Sequence, residues 1–250
     1  MRDSPEKIGA GYPMNRDKSW PLKNNYNYMK ELRVLQFMVL VCILMIPILI
    51  ILFLKNFSSN TYSIPILYEN GVEDPYQECD LPSGQQHVIP EFRFYAQDSS
   101  EVGTQEMKGK LTIVDFFFTS CPSICPVMSA EMERVQDAFR DEEMVQIFSI
   151  SLDPGFDTPA VLAEYADFHG AKPNKWFFLN GPREQTYELA RCGFILPALD
   201  GGGNPDDFVH SDKFVLVDEQ GRIRGYYSGT NREGVDELIL ETKILLYGQQ

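Results

Sequence analysis

Residues 34–54 (VLQFMVLVCILMIPILIILFL) run for 21 positions without a charge, and this stretch constrains the chain more than any other. A helix of that length spans about 30 Å, the hydrocarbon thickness of a bilayer. Gln36 and Pro47 are tolerated in such a span. The run continues into Lys55-Asn-Phe-Ser-Ser with no small-x-small cleavage site, so an uncleaved anchor is expected rather than a signal peptide. A lipoprotein signal needs small residues just before its cysteine, whereas Cys42 sits mid-run in Leu-Val-Cys-Ile. Arg2, Lys7, Arg16, Lys18, Lys23, Lys30 and Arg33 precede the run, and Lys55 stands nearly alone after it. Basic flanks stay inside, which predicts a cytoplasmic tail over 1–33, the anchor at 34–54 and the remainder on the far side. Acidic residues in the tail argue against a mitochondrial targeting peptide. A bacterial inner membrane with a periplasmic C-terminal domain is the resulting expectation.

Charge divides along the same boundary. Residues 1–33 carry seven basic and four acidic side chains, whereas residues 34–250 carry 15 basic and 32 acidic ones. Such an acidic outer part argues against nucleic acid and against docking on anionic lipid. Residues 55–89, rich in Ser, Pro, Asn and acidic residues, are expected to form an extracytoplasmic tether.

Beyond the tether, strand and helix patterns alternate. Strands are predicted at 92–96, 111–118, 145–152 and 176–179, followed by a hairpin of 213–217 and 222–227 around Asp218-Glu-Gln-Gly221. Helices are predicted at 126–140, from Asp157-Thr-Pro-Ala to about His169-Gly170, at 183–192 and at 235–247. This order implies one α/β domain over 90–250, a central mixed sheet flanked by helices, with a loop inserted before the terminal hairpin and helix. Cys121 and Cys125 follow directly on the first long strand, in KLTIVDFFFTSCPSICP (residues 110–126). A dithiol in that place is what a thioredoxin-like fold shows.

Four residues apart at a helix start, the two sulfurs are expected on one face, about 6 Å apart along the axis. A helix N-terminus favours thiolate, the form that binds soft metals and exchanges disulfides, and the spacing permits either. Pro122 and Pro126 stiffen the loop. Cys79 and Cys192 read as structural, whether paired or single. His169 suits a helix C-terminus, and His87, in the tether, reads as solvated. His210 differs. It ends the loop Gly201-Gly-Gly-Asn-Pro-Asp-Asp-Phe-Val-His210 and leads into a strand, at the place where a thioredoxin-like sheet faces its dithiol. Two thiolates and one imidazole suit Cu(I), and Cu(II) with one added ligand, whereas a closed zinc site takes four protein ligands.

With these residues in view, the chain resembles the Sco/SenC family over about 90–247. Three blocks carry the likeness: VDFFFTSCPSICP (114–126), IFSISLDPGFDTP (147–159) and VHSDKFVLVDEQG (209–221). The resemblance implies a thioredoxin-like fold, a copper site of Cys121, Cys125 and His210, and help in assembling the CuA centre of cytochrome c oxidase. The implied partner is the copper-bearing oxidase subunit or another copper-handling protein. One departure is visible: family members often have Asp two residues after the first cysteine, where this chain has Ser123. Two functions follow. The first is a membrane-anchored copper chaperone. The alternative is a thiol–disulfide reductase that keeps a respiratory partner's cysteines reduced, with Cys121 attacking and Cys125 resolving.

Overall fold

The computed structural model describes residues 23–57, 63–72, 79, 81, 84–196 and 211–248. It divides into two units, Met1–Asn60 and Thr61–Gln250. In the first, helix α1 (Lys23–Phe57) extends past both ends of the charge-free run and passes through Pro47. Its Tyr28–Leu54 portion is long and apolar enough to cross a membrane.

The second unit is built on a seven-stranded sheet. In chain order its elements are β1 (Arg93–Ala96), β2 (Glu101–Gly103), α2 (Thr104–Met107), β3 (Leu111–Phe117), α3 (Ile124–Ala138), β4 (Val145–Ser151), α4 (Pro159–Phe168) and β5 (Trp176–Asn180). They continue with α5 (Arg183–Glu188) and a π-helical turn (Leu189–Gly193), then β6 (Lys213–Val217), β7 (Ile223–Ser228) and α6 (Arg232–Tyr247). The strands lie in the order β2-β1-β5-β4-β3-β6-β7. The central three, β3, β4 and β5, run parallel, and the outer pairings are antiparallel. This is the mixed sheet flanked by helices that the strand–helix alternation predicts. The additions are β2 and α2, each too short to leave a periodic signal.

Strand β3 shows why the centre is buried on both sides. Successive side chains point to opposite faces. Leu111, Ile113 and Phe117 join a core with Met128, Met132, Leu162, Val235 and Leu238 from α3, α4 and α6. Val114 and Phe116 join the opposite core, with Phe148, Val215, Leu189 and Phe194. All seven residues of β3, and all seven of β4, are buried. A sheet covered on both faces produces this near-continuous apolar run.

The described part of the expected tether is packed on the domain. Leu67 donates its N–H to Ile223 O (2.9 Å) and Ile89 donates to Gly221 O (2.8 Å), both on the β7 side of the sheet. Arg224 on β7 donates to the carbonyls of Pro65 (3.0 Å) and Ile64. Ile64 itself is buried in the core beside α3 and α6. An edge strand exposes unpaired backbone groups, and this strap meets one of them, Ile223 O. The compact unit therefore begins well before residue 90.

Candidate functional site

The dithiol stands where β3 ends and α3 begins. Helix α3 starts at Ile124, with Ser123 as its N-cap, so Cys125 lies in the first turn and Cys121 in the preceding loop. The expected i,i+4 pairing on one helix is corrected here: only Cys125 is helical, and Cys121 ends a turn closed by its N–H donating to Phe118 O at 3.2 Å. Pro122 displaces the helix start, because the residue before it is disfavoured in helical conformation. Pro126 is tolerated in the first turn, where its missing N–H leaves no ladder bond unmade. Both cysteines are free and buried.

Their environments differ. Burial pushes the Cys121 thiol up, but the backbone groups of Ser123 and Cys125 and the Cys125 thiol outweigh it and hold Cys121 below the ordinary thiol range. Ser123 Oγ stands 3.7 Å from Cys121 Sγ. A hydroxyl there can donate to the sulfur, which a carboxylate in its place could not do. Cys125 moves the other way: burial pushes it up, and the neighbouring Cys121 and Asp115 push it further. The pair is thus an acidic thiol beside one that keeps its proton.

Asp115 is a site residue that the sequence reading missed. It shares the α3-facing side of β3 with Ile113 and Phe117, and its partner across the parallel ladder is Ser149. Ser149 donates to its carboxylate at 2.5 Å and accepts from Trp176 Nε1 at 2.9 Å. Burial raises Asp115 to about 7. Beside this thread, Ser129 and Tyr165 exchange a hydroxyl bond of 2.8 Å. An ionisable residue in the middle of TIVDFFF was the available signal.

The raised Asp115 has a consequence for stability. Between its unfolded value of about 3.9 and its folded value near 7, the native chain holds a proton that the unfolded chain has released. Unfolding free energy therefore falls as pH rises through that window, by up to about 4 kcal/mol in total. Asp115→Asn still accepts from Ser149 but cannot ionise. Denaturant unfolding of the full chain at pH 4 to 8 should show this fall in the native protein and its absence in the variant, which becomes the more stable of the two at pH 8. An unchanged pH profile would remove the buried carboxyl from the account.

His210 lies outside the described residues. Among the described residues, no group of three His, Cys, Asp or Glu side chains is arranged to hold a metal. The strand that follows His210 is informative. Strand β6 pairs antiparallel with β3, Val215 opposite Val114 and Val217 opposite Thr112. Its first residues therefore stand at the sheet end where β3 delivers the dithiol.

The remaining candidates have structural roles. Cys79 and Cys192 form a disulfide. His87 is buried rather than solvated, and its Nε2 donates to Gly193 O at 2.7 Å. His169 is the C-cap of α4, with Nδ1 2.7 Å from Glu133 Oε1.

A sequence model described as SCO1/SenC matches residues 81–243, more than half of the chain. The chain belongs to the SCO1/SenC family. A Bacillus subtilis relative, the SCO1 protein homolog, is 30% identical over 158 residues, covering 63% of this chain and 82% of its own length. Among solved structures, the chain is similar to BsSco, described as a member of the Sco family of cytochrome c oxidase assembly proteins in which a disulfide switch was identified. That match has 31% identity and a TM-score of 0.55, and covers 63% of this chain and 92% of that one. Bradyrhizobium japonicum ScoI, solved with copper bound, matches at 25% identity and a TM-score of 0.50, covering 62% and 98%. These likenesses establish the thioredoxin-like fold of the second unit.

Proposed function

We propose that this protein is a membrane-anchored copper chaperone that helps assemble the CuA site of cytochrome c oxidase. The observation that carries the reading is the pair of free, buried and unequal thiols at the β3–α3 junction. Copper is cargo in this scheme. Soft thiolates favour Cu(I), and the donor set fits: Cys121 and Cys125 would hold the ion, with His210 as the third ligand. The copper-bound relative and the oxidase-assembly role of BsSco support the assignment. The copper-bearing oxidase subunit is the recipient this scheme requires. The basic tail and the apolar span support a cytoplasmic N-terminus in a bacterial inner membrane, with the copper domain in the periplasm.

The chain's own residues supply two controls. Cys121, the more acidic thiol, engages first, and the Cys125 proton must leave before the second sulfur can bind. Closing a Cys121–Cys125 disulfide removes two electrons and two protons, and with them two of the three ligands. A second reading, thiol–disulfide reductase, is favoured by the same inequality, since an acidic attacking thiol beside a protonated resolving thiol suits exchange.

Copper titration of the full chain in detergent, with Cys42→Ser to leave one free thiol pair, separates them. The chaperone reading expects one Cu(I) per chain and at least about tenfold weaker binding in His210→Ala. Binding unaffected by that substitution, together with undiminished reduction of a protein disulfide, would leave the reductase.

A further inference from the structure

The stretch Asp157-Thr-Pro, read from sequence as a helix start, divides its labour. Thr158 is the N-cap of α4, its side chain accepting from the Val161 N–H at 3.5 Å. Asp157 is released from capping and is completely buried, at 0% exposure. Its carboxylate accepts the Thr119 N–H, with 3.2 and 3.4 Å to the two oxygens, and also the Thr119 hydroxyl. The Ser151 hydroxyl donates to it at 2.5 Å. Its backbone carbonyl accepts from Asn180 Nδ2, which also donates to Pro154 O at 3.0 Å. A carboxylate offers about four acceptor sites and no donor, so three converging donors suit it.

We infer that Asp157 is a positioning residue for the dithiol: it clamps Thr119, two residues before Cys121, to the turn after β4. Cys121 lies outside α3, so no helical ladder fixes it. The loop that carries it leans on the β4–α4 turn at two places, the Thr119–Asp157 clasp and the Leu152 N–H donating to Phe117 O at 2.8 Å. Only the clasp lies beyond the end of β3. Thr119 presents its N–H and O–H to one side chain. An amide there keeps only one acceptor oxygen; its NH2 would face the Thr119 N–H or have to be met by a hydroxyl turned round to accept, so the three-donor clasp is broken. The inference concerns the geometry of the pair and holds whether the pair carries copper or exchanges disulfides.

The test measures closure of the pair in the full Cys42→Ser chain against a glutathione buffer. One oxidised glutathione and the two thiols yield the Cys121–Cys125 disulfide and two reduced glutathiones. Asp157→Asn is expected to lower the closure constant about tenfold to a hundredfold, the scale of an ångström-sized misplacement of reacting groups. Thr119→Val, which keeps the N–H and loses only the hydroxyl, should shift it the same way, and Thr119→Ser should restore it. Ser151→Ala removes a donor from the same carboxylate without touching the dithiol loop. It should lower the melting temperature and leave the closure constant within about twofold. A folded Asp157→Asn protein with the native constant overturns the inference, as does a Ser151→Ala shift equal to that of Thr119→Val. Should Asp157→Asn fail to fold, the Thr119 variants decide by the same criterion.

Discussion

Full-length Cys42→Ser protein that also carries Cys125→Ser is expected to lose stoichiometric copper binding while Cys121 remains a reactive thiol. In the proposed site the substitution removes one of two soft ligands, a larger insult than the outer-sphere changes that typically cost 10- to 100-fold in metal affinity. It also prevents a Cys121–Cys125 disulfide from closing, since the second thiol is gone. Cys121→Ser should abolish both properties as well, so copper binding alone does not distinguish the two variants. Thiol reactivity does. Backbone groups of Ser123 and Cys125 hold Cys121 below the ordinary thiol range, and they survive Cys125→Ser. In Cys121→Ser the remaining thiol is Cys125, kept protonated above all by burial and further by Asp115. Iodoacetamide at pH 7 should therefore label Cys121 in the first variant at least about tenfold faster than Cys125 in the second, because the thiolate is the nucleophile. Equal rates would erase the inequality on which both functional readings rest. Retained copper in Cys125→Ser would move the binding site elsewhere.

The residues explain which parts of this molecule could be read in advance. Strands β3 and β4 announce themselves because both faces of the sheet are covered, which forces the near-continuous apolar runs of LTIVDFF and VQIFSIS. Helix α1 is legible because 21 consecutive residues without a charge meet the length that crossing a membrane requires. Local pattern fails where long-range pairing decides. Ile64 and Leu67 lie in Ile-Pro-Ile-Leu, a run too short and too interrupted by proline to show a period, and the strap they belong to is held by the carbonyls of Gly221 and Ile223 and by Arg224, which no periodicity encodes. His87 is buried only because Gly193, 106 residues away, offers a carbonyl. At the site, the spacing of Cys121 and Cys125 was legible but its geometry was not, because Pro122 keeps the first cysteine off the helix. Asp157 and Thr158 both look like caps. Only the fold reveals that one of them faces inward, toward Thr119.

Replacing Cys79 and Cys192 together with Ala is expected to lower the unfolding free energy of the second unit by about 2–5 kcal/mol, without changing Cys121 labelling. The bond joins positions 113 residues apart. A closed loop of that length removes so many unfolded conformations that the chain-entropy estimate is about 4.7 kcal/mol. Because the effect acts through the unfolded chain, it has a signature that contact loss lacks. Freed of its cross-link, the unfolded state expands and exposes more surface, so the denaturant slope should rise as the midpoint falls. Fluorescence of the fully buried Trp176 follows the transition. His87→Ala provides the contrast. It removes the bond to Gly193 O, adjacent to Cys192, and should cost about 1 kcal/mol with the slope unchanged. A double-alanine protein that loses less than about 1 kcal/mol and keeps its slope would mean that the cross-link does not constrain the unfolded chain. The strap would then be held by Arg224, His87, the backbone bonds to Gly221 and Ile223 and the burial of Ile64 and Ile89.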